Sequence, residues 1–381
     1  MIAVVMAFSM IAVPVSAADT TADLEKVETT VNDAFAFAEK LANAIHKLVG
    51  DILAVFDKEC PFCEVIHELA AVEPDAPVVP EEPVEPEVVY PSVPENFPAK
   101  SEVPADAVKV DSAEALADAI ANAEAGAYIV LADGVYDEIV ITKSNITLAA
   151  ENATVGFINL NGKSNITLDG ITFDAAGAKA ALRGDAAETG YVANIVATLK
   201  GKTSSNGHDI VIKNCTFTGT PVDGASYAPI YVNDHKRSSY HAYNYTVDGC
   251  LFETKASYYV YLSYLVEGNI VVTDNFFGNE ATDCASFLWS SSNGSNITVE
   301  NNTAFNWRNA GIGGSRSGAS YPIEIQVRHN TFVQVAEGAN ADYVYLKGYK
   351  AMDTFDVVNS LNSFVGTITA ENANVYYEAL A

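Results

Sequence analysis

The chain has 381 residues, with 49 acidic side chains against 21 basic ones and a formal net charge of −28. Phosphate binding needs a basic surface, so this balance argues against a nucleic-acid partner. The length allows a large core and more than one region, while five irregularly placed cysteines do not make a disulfide framework.

The first residues, MIAVVMAFSMIAVPVSA, form an apolar run closing on Val-Ser-Ala. Small residues at that point are a cleavage pattern, so 1–17 reads as a secretory signal and the protein as secreted or displayed at the cell surface. An uncleaved anchor is the alternative, although the run before Pro14 is shorter than a membrane span. Residues 18–72 follow a helical period. Leu24, Val27, Val31, Ala34, Ala38, Leu41, Ile45, Leu48, Ile52 and Val55 alternate steps of three and four, which places them on one stripe. Self-association or partner binding through the 22–57 helix is one reading; a hairpin packed on its own domain is the other. Cys60, Cys63 and His67 resemble half a metal knuckle that lacks a fourth ligand. A local disulfide is the expected state of the pair in an exported chain. Residues 73–104 are rich in Pro and Glu and read as an extended spacer.

From residue 105 the pattern changes again. Asp111 with Glu114 makes a capping box, and Leu116, Ile120 and Ala123 give the following helix one apolar face, closed by Gly126. Such a helix can cover the open end of a solenoid. A phrase then recurs seven times: SNITLDGITF, HDIVIKNCTF, YNYTVDGCLF, GNIVVTDNFF, SNITVENNTAF, IEIQVRHNTF and FDVVNSLNSF. Each alternates apolar and polar residues, turns at Asn, Asp or Gly, and closes on an aromatic. Those are Phe173, Phe217, Phe252, Phe277, Phe305, Phe332 and Phe364, which recur at the period of a solenoid and are expected inside it. A capping helix, then IVLADGVYDEIVI, then these units, resembles the right-handed parallel β-helix of the pectin-lyase-like superfamily over residues 105–381. The implied fold class is all-β.

Stacking the turns assigns columns. Asn214, Asn275, Asn302, Asn330 and Asn362 recur before the turn, where amides stack and bond backbone. Cys215 and Cys250 occupy matching positions as stacked free thiols, with a disulfide as the alternative. The triplets at Asn145, Asn165, Asn214, Asn244 and Asn296 follow from Asn corners beside Thr-rich strands, glycosylation being the alternative reading. The strand before each phrase aligns as IYVND, VYLSY, FLWSS, IGGSR and VYLKG. Period two then puts Ile230/Val232, Val260/Leu262, Phe287/Trp289, Ile312/Gly314 and Val344/Leu346 inside. The other face is expected as an exposed strip bearing Tyr231, Tyr261 and Tyr345 beside Asn233, Ser263 and Lys347, with Tyr258, Tyr259, Tyr264 and Tyr343 close by.

The phrases VRHNTF and IVVTDNFFGNEA resemble turns of the chondroitinase-B/alginate-lyase type. That resemblance implies a catalytic Lys and Arg from successive turns, but Asn233 and Ser263 stand in those columns. The loop NDHKRSSYH offers the chain's densest polar cluster instead. Lys236, Arg237 and His235 are therefore the catalytic candidates. Candidate substrate contacts are Tyr231, Asn233, Asp234, Tyr240, Tyr261, Tyr264, Trp307, Arg308, Arg316 and Lys347, with His241 also in the loop and Trp307 as a stacking platform. Aromatic rings that pack on sugar faces point to a β-helix binding polysaccharide or a cell-surface glycan without turnover. The alternative is a lyase that removes the proton beside a uronate carboxylate. No cofactor is expected; Asp248, Asp274 and Glu300 recur near corners as a shallow calcium ladder in the alternative reading.

Overall fold

The computed structural model describes residues 88–182, 188–197, 207–233, 242–315, 323–335, 340–349 and 352–379. The signal, the 18–72 segment with Cys60, Cys63 and His67, and residues 73–87 lie outside the described residues.

Helix α1, Ala113–Asn122, packs on the first strands and buries Leu116 and Ile120. Its N-cap is Ser112 rather than Asp111: the Ser112 hydroxyl accepts from the Ala115 amide at 3.2 Å. It ends at Asn122, and Gly126 sits in the following turn at φ +87°, donating to the Asn145 carbonyl at 2.7 Å.

Beyond α1 the chain is a parallel β-helix. A ten-stranded parallel sheet runs from Val108–Val110 to Met352–Val357. A second, sixteen-stranded sheet is made of two stacks that share Ala153–Asn159, whose start pairs with Thr172–Asp174 and whose end pairs with Ile195–Val196. One full turn reads Tyr243–Asp248 in the first sheet, then Leu251–Phe252 and Tyr258–Val266 in the two stacks. The next turn repeats this with Asn269–Thr273, Phe276–Phe277 and Ser286–Asn293. Alternation explains the first sheet: Ile146/Leu148, Ile166/Leu168, Ile210/Ile212, Ile270/Val272 and Ile297/Val299 are buried while Thr147, Thr167, Val211, Val271 and Thr298 between them face out.

The closing aromatics stack inside as expected, with ring centroids 4.9, 4.6 and 4.7 Å apart along Phe173, Phe217, Phe252 and Phe277. Phe305 departs from the column. Its phrase is one residue longer, so Ala304 pairs with Phe277 and Phe332, and Phe305 turns to the outer face. A one-residue phase change in a period of two moves a side chain across the sheet.

The corner splits the recurrent Asn residues into two columns. Asn275, Asn302, Asn330 and Asn362 point inward, each amide bonding the next at 2.9, 2.9 and 3.1 Å. The same amides donate to carbonyls of the preceding turn, Val247, Val272, Val299 and Val327, at 2.8–3.0 Å. Cys215 and Cys250 occupy the earlier rungs of this inward column as free thiols, their sulfurs facing the equivalent carbonyls of Leu168 and Ile212. Asn214 belongs to the neighbouring column, with Gly249, Asp274, Asn301 and His329, all at positive φ. Asn145, Asn165 and Asn244 are likewise left-handed, which Asn tolerates better than branched residues.

The stretch expected as a spacer is described from Val88, and from there it lies on the solenoid as a strap. Tyr90 lies against Gly366 of the last turn, where an added Cβ would come within 3.5 Å of its ring. Tyr90, Val93 and Phe97 cover the outward column Leu251, Phe276, Phe305, Val333 and Val365. Further on, the Ser101 hydroxyl donates to Asp169 at 2.9 Å, before the chain enters Val108–Val110. Proline and charge do not prevent docking here because every third or fourth residue is a large apolar one.

Candidate functional site

The outer face of the second stack carries a column of Val196, Tyr231, Tyr261, Trp289, Gly313, Tyr345 and Tyr376, one residue per turn. Trp289 was expected inside; the register pairs Val260 with Leu288 and Tyr261 with Trp289, so Leu288 is the core residue and Trp289 faces out. Phe287 is buried as well, as are Tyr259 and Tyr343; each is the second residue of its strand and directly precedes the core residue Leu288, Val260 or Val344. Those two tyrosines therefore leave the expected strip for the core.

Four half-exposed rings come together on this face: Tyr191, Tyr258, Tyr261 and Trp289. Tyr231 stacks on Tyr261 at 4.7 Å and on Tyr191 at 5.4 Å, and Tyr258 lies 5.2 Å from Tyr261 and 5.6 Å from Trp289. Gly313 gives the indole its place. A Cβ there would stand 2.7 and 2.8 Å from Trp289 Cε3 and Cζ3. Tyr191 is brought in by a three-stranded sheet, Lys179–Leu182, Glu188–Ala193 and Ser226–Tyr227, which folds over the early turns. No periodic signal in the sequence marks that sheet.

This cover makes the strip less open than expected. Tyr231 is 2% exposed, packed with Ala181, Ala193 and Ala228, and Asn233, Ser263 and Ser291 are buried too. The Asn233 amide donates to the Tyr231 hydroxyl at 3.0 Å. Burial holds the phenols protonated: Tyr191 is pushed up to about 12, with Tyr258 adding to the shift, and Tyr261 is raised further. The rings thus offer neutral hydroxyl edges and apolar faces.

The remaining candidates scatter. Trp307 is 2% exposed inside the core, edge-on to Phe332 at 5.8 Å, and its indole N–H donates to the Asp342 carbonyl at 2.8 Å, so it is no platform. Arg308 is exposed and ion-paired with Asp283. Its charge reaches Tyr258, opposing the rise that burial causes in that phenol. Lys347 pairs with Glu378 at 3.3 Å beside the stacked Tyr345 and Tyr376, which stand four and five turns from Tyr231. Tyr264 is half-buried at φ +63° at the end of its strand. Asp234, His235, Lys236, Arg237, Tyr240, His241 and Arg316 lie outside the described residues.

The acidic corner residues do not gather. Asp248, Thr273 and Glu300 share a column, whereas Asp274 stands in the left-handed column next to it. Asp248 accepts from the Thr273 hydroxyl at 2.8 Å, and Glu300 faces His329 Nδ1 at 3.0 Å. Among the described residues no group of three or more His, Cys, Asp or Glu side chains could hold a metal.

No family model matches the chain, and no curated protein does. Among solved structures, the crystal structure of the pectin methylesterase from Aspergillus niger in deglycosylated form is similar over 73% of this chain and 91% of that chain, at 14% identity and a TM-score of 0.30. At that similarity it assigns no residue or activity here; the parallel β-helix is established by this chain's own ladders.

Proposed function

We propose that this protein is an exported β-helix that binds polysaccharide through the aromatic patch of Tyr191, Tyr258, Tyr261 and Trp289, without turnover. The observation that carries the reading is the gathering of four half-exposed rings, from two successive turns and a covering sheet, on one face of the solenoid. Neutral, amphipathic rings on a rigid wall suit sugar faces, since ring carbons meet C–H groups while phenol and indole edges meet hydroxyls. Arg308 and Asp283 at the border supply exposed polar contacts. The apolar opening run of the sequence supports export.

Affinity electrophoresis through gels loaded with neutral and acidic polysaccharides tests this. Retardation by at least one polymer is expected, weakened about tenfold, or about 1.4 kcal/mol, by Trp289→Ala. Retardation by none, or retardation indifferent to Trp289→Ala and Tyr258→Ala, would overturn the reading. The lyase alternative, with Lys236, Arg237 and His235, is tested on the same polymers by the ultraviolet absorbance of an unsaturated product.

A further inference from the structure

A concavity lies where the strap crosses the early turns, lined by none of the residues of the aromatic patch. It is a cleft of about 420 Å³, walled by Pro98–Ser101 and Val103 of the strap and by Tyr128, Asn152, Asp169, Thr172, Asn214 and Thr216 of the solenoid. That volume is in the range of small-molecule sites, about 300–1,000 Å³.

Its organising group is Asp169, whose side chain is 2% exposed. One oxygen accepts from the Ser101 hydroxyl at 2.9 Å and the Asn214 amide at 3.0 Å. The other accepts from the Tyr128 hydroxyl at 3.4 Å and faces the Lys213 ammonium at 3.3 Å. A buried charge is tolerated when it is paired and fully hydrogen-bonded, and here four partners fix the surrounding side chains in place. In front of this cluster stand Thr172 and Thr216. Their neighbours Phe173 and Phe217 point into the core, so period two turns both hydroxyls outward, and the two residues are direct register partners. Adjacent strands set them roughly 4.8 Å apart. Among the described residues neither hydroxyl has a hydrogen-bond partner.

Charge in the cleft is largely matched: Lys213 with Asp169, and Glu151 with Lys109 at 3.2 Å. The wall therefore presents hydroxyls, amides, one phenol ring and, from the strap, the single ammonium of Lys100. We infer that this cleft binds a neutral saccharide unit, held by the Thr172 and Thr216 hydroxyls and the Asn152 amide, with the Tyr128 ring at its side. Paired hydroxyls at strand spacing complement a ring bearing hydroxyls at several positions. A phosphate or nucleotide would need several free cations, whereas Lys100 is the one lining cation among the described residues. Because Lys100 and Ser101 belong to the strap, an occupied cleft also ties the strap to the solenoid.

Saturation-transfer NMR on the full chain tests this with free neutral mono- and disaccharides. Saturable transfer is expected, weakened about tenfold by the paired substitution Thr172→Val and Thr216→Val, which keeps shape and β-propensity. Lys100→Ala is expected to leave affinity within about twofold, since charge is not the holding force. Every measurement is made in a Trp289→Ala background, which removes the aromatic patch's own contribution to the transfer. The inference is overturned if no neutral sugar binds. It is equally overturned if the folded threonine variant binds as wild type, or if Lys100→Ala abolishes binding.

Discussion

Removing one rung of the asparagine ladder should unlock the corner of the solenoid. Asn302 is 1% exposed, and its Oδ1 accepts from the Asn275 amide N–H at 3.0 Å and from Asn275 Nδ2 at 2.9 Å. Its own Nδ2 donates to the Val272 carbonyl at 2.8 Å and to Asn330 Oδ1 at 2.9 Å. In Asn302→Ala the Asn275 N–H loses its acceptor and the Val272 carbonyl loses a donor, both away from water. Each buried group left without a partner costs about 1–3 kcal/mol, so a total of roughly 3–5 kcal/mol is expected, including the small void. Against a typical domain stability of about 5–15 kcal/mol this is a large share. Cys250→Ala, in the same column, removes only a weak S–H donor and should cost about 1–2 kcal/mol. Urea unfolding measures both as a shift in midpoint, with the slope checked for constancy because a solenoid can open turn by turn. Amide exchange at Asn275 gives the local reading and should accelerate. An Asn302→Ala cost below about 1 kcal/mol, or equal costs for the two variants, would refute the claim that the ladder's bonds hold the corner.

Gly313→Ala places a methyl group where 2.7 Å separates it from the Trp289 ring, so the indole must swing outward. In a Trp307→Phe background, Trp289 is the sole tryptophan, and its emission should shift to the red with weaker polysaccharide retardation; an unchanged spectrum would contradict the packing. Alkaline titration should separate the tyrosines, because Tyr191 and Tyr343 are raised by burial from 10.0 to about 12. A raised folded-state pKa contributes stability that is complete below 10 and lost as pH climbs towards 12. Phenolate absorbance should therefore rise first for exposed rings, and the rest should appear together with unfolding between those limits. Full, reversible ionisation near 10 of all 19 tyrosines in the folded protein would count against their burial.

Most of the wall was legible in the sequence. Strict alternation and a returning phrase mark inward residues whatever the loops do, which is why Phe173, Phe217, Phe252 and Phe277 stack as expected. Errors arose where one residue was added or misaligned: Phe305 and Trp289 both changed face through a slip of one position. The corner column was misjudged at Asn214 for the same reason, since Asn suits both the left-handed position and the inward ladder. Trp307 looked like a surface ring because nothing local reveals that its N–H is satisfied by Asp342 one turn on.

The sequence by itself determined the solenoid, its capping helix and the residue types at its corners, because these depend on local period and on backbone preferences. Only the tertiary structure decided which tyrosines lie open and which are covered, that residues from Val88 clasp the wall instead of spacing it, and that Asp169 gathers groups from three separate stretches. Those outcomes depend on contacts between residues far apart in the chain, whose register is set by loop lengths that carry no periodic signal.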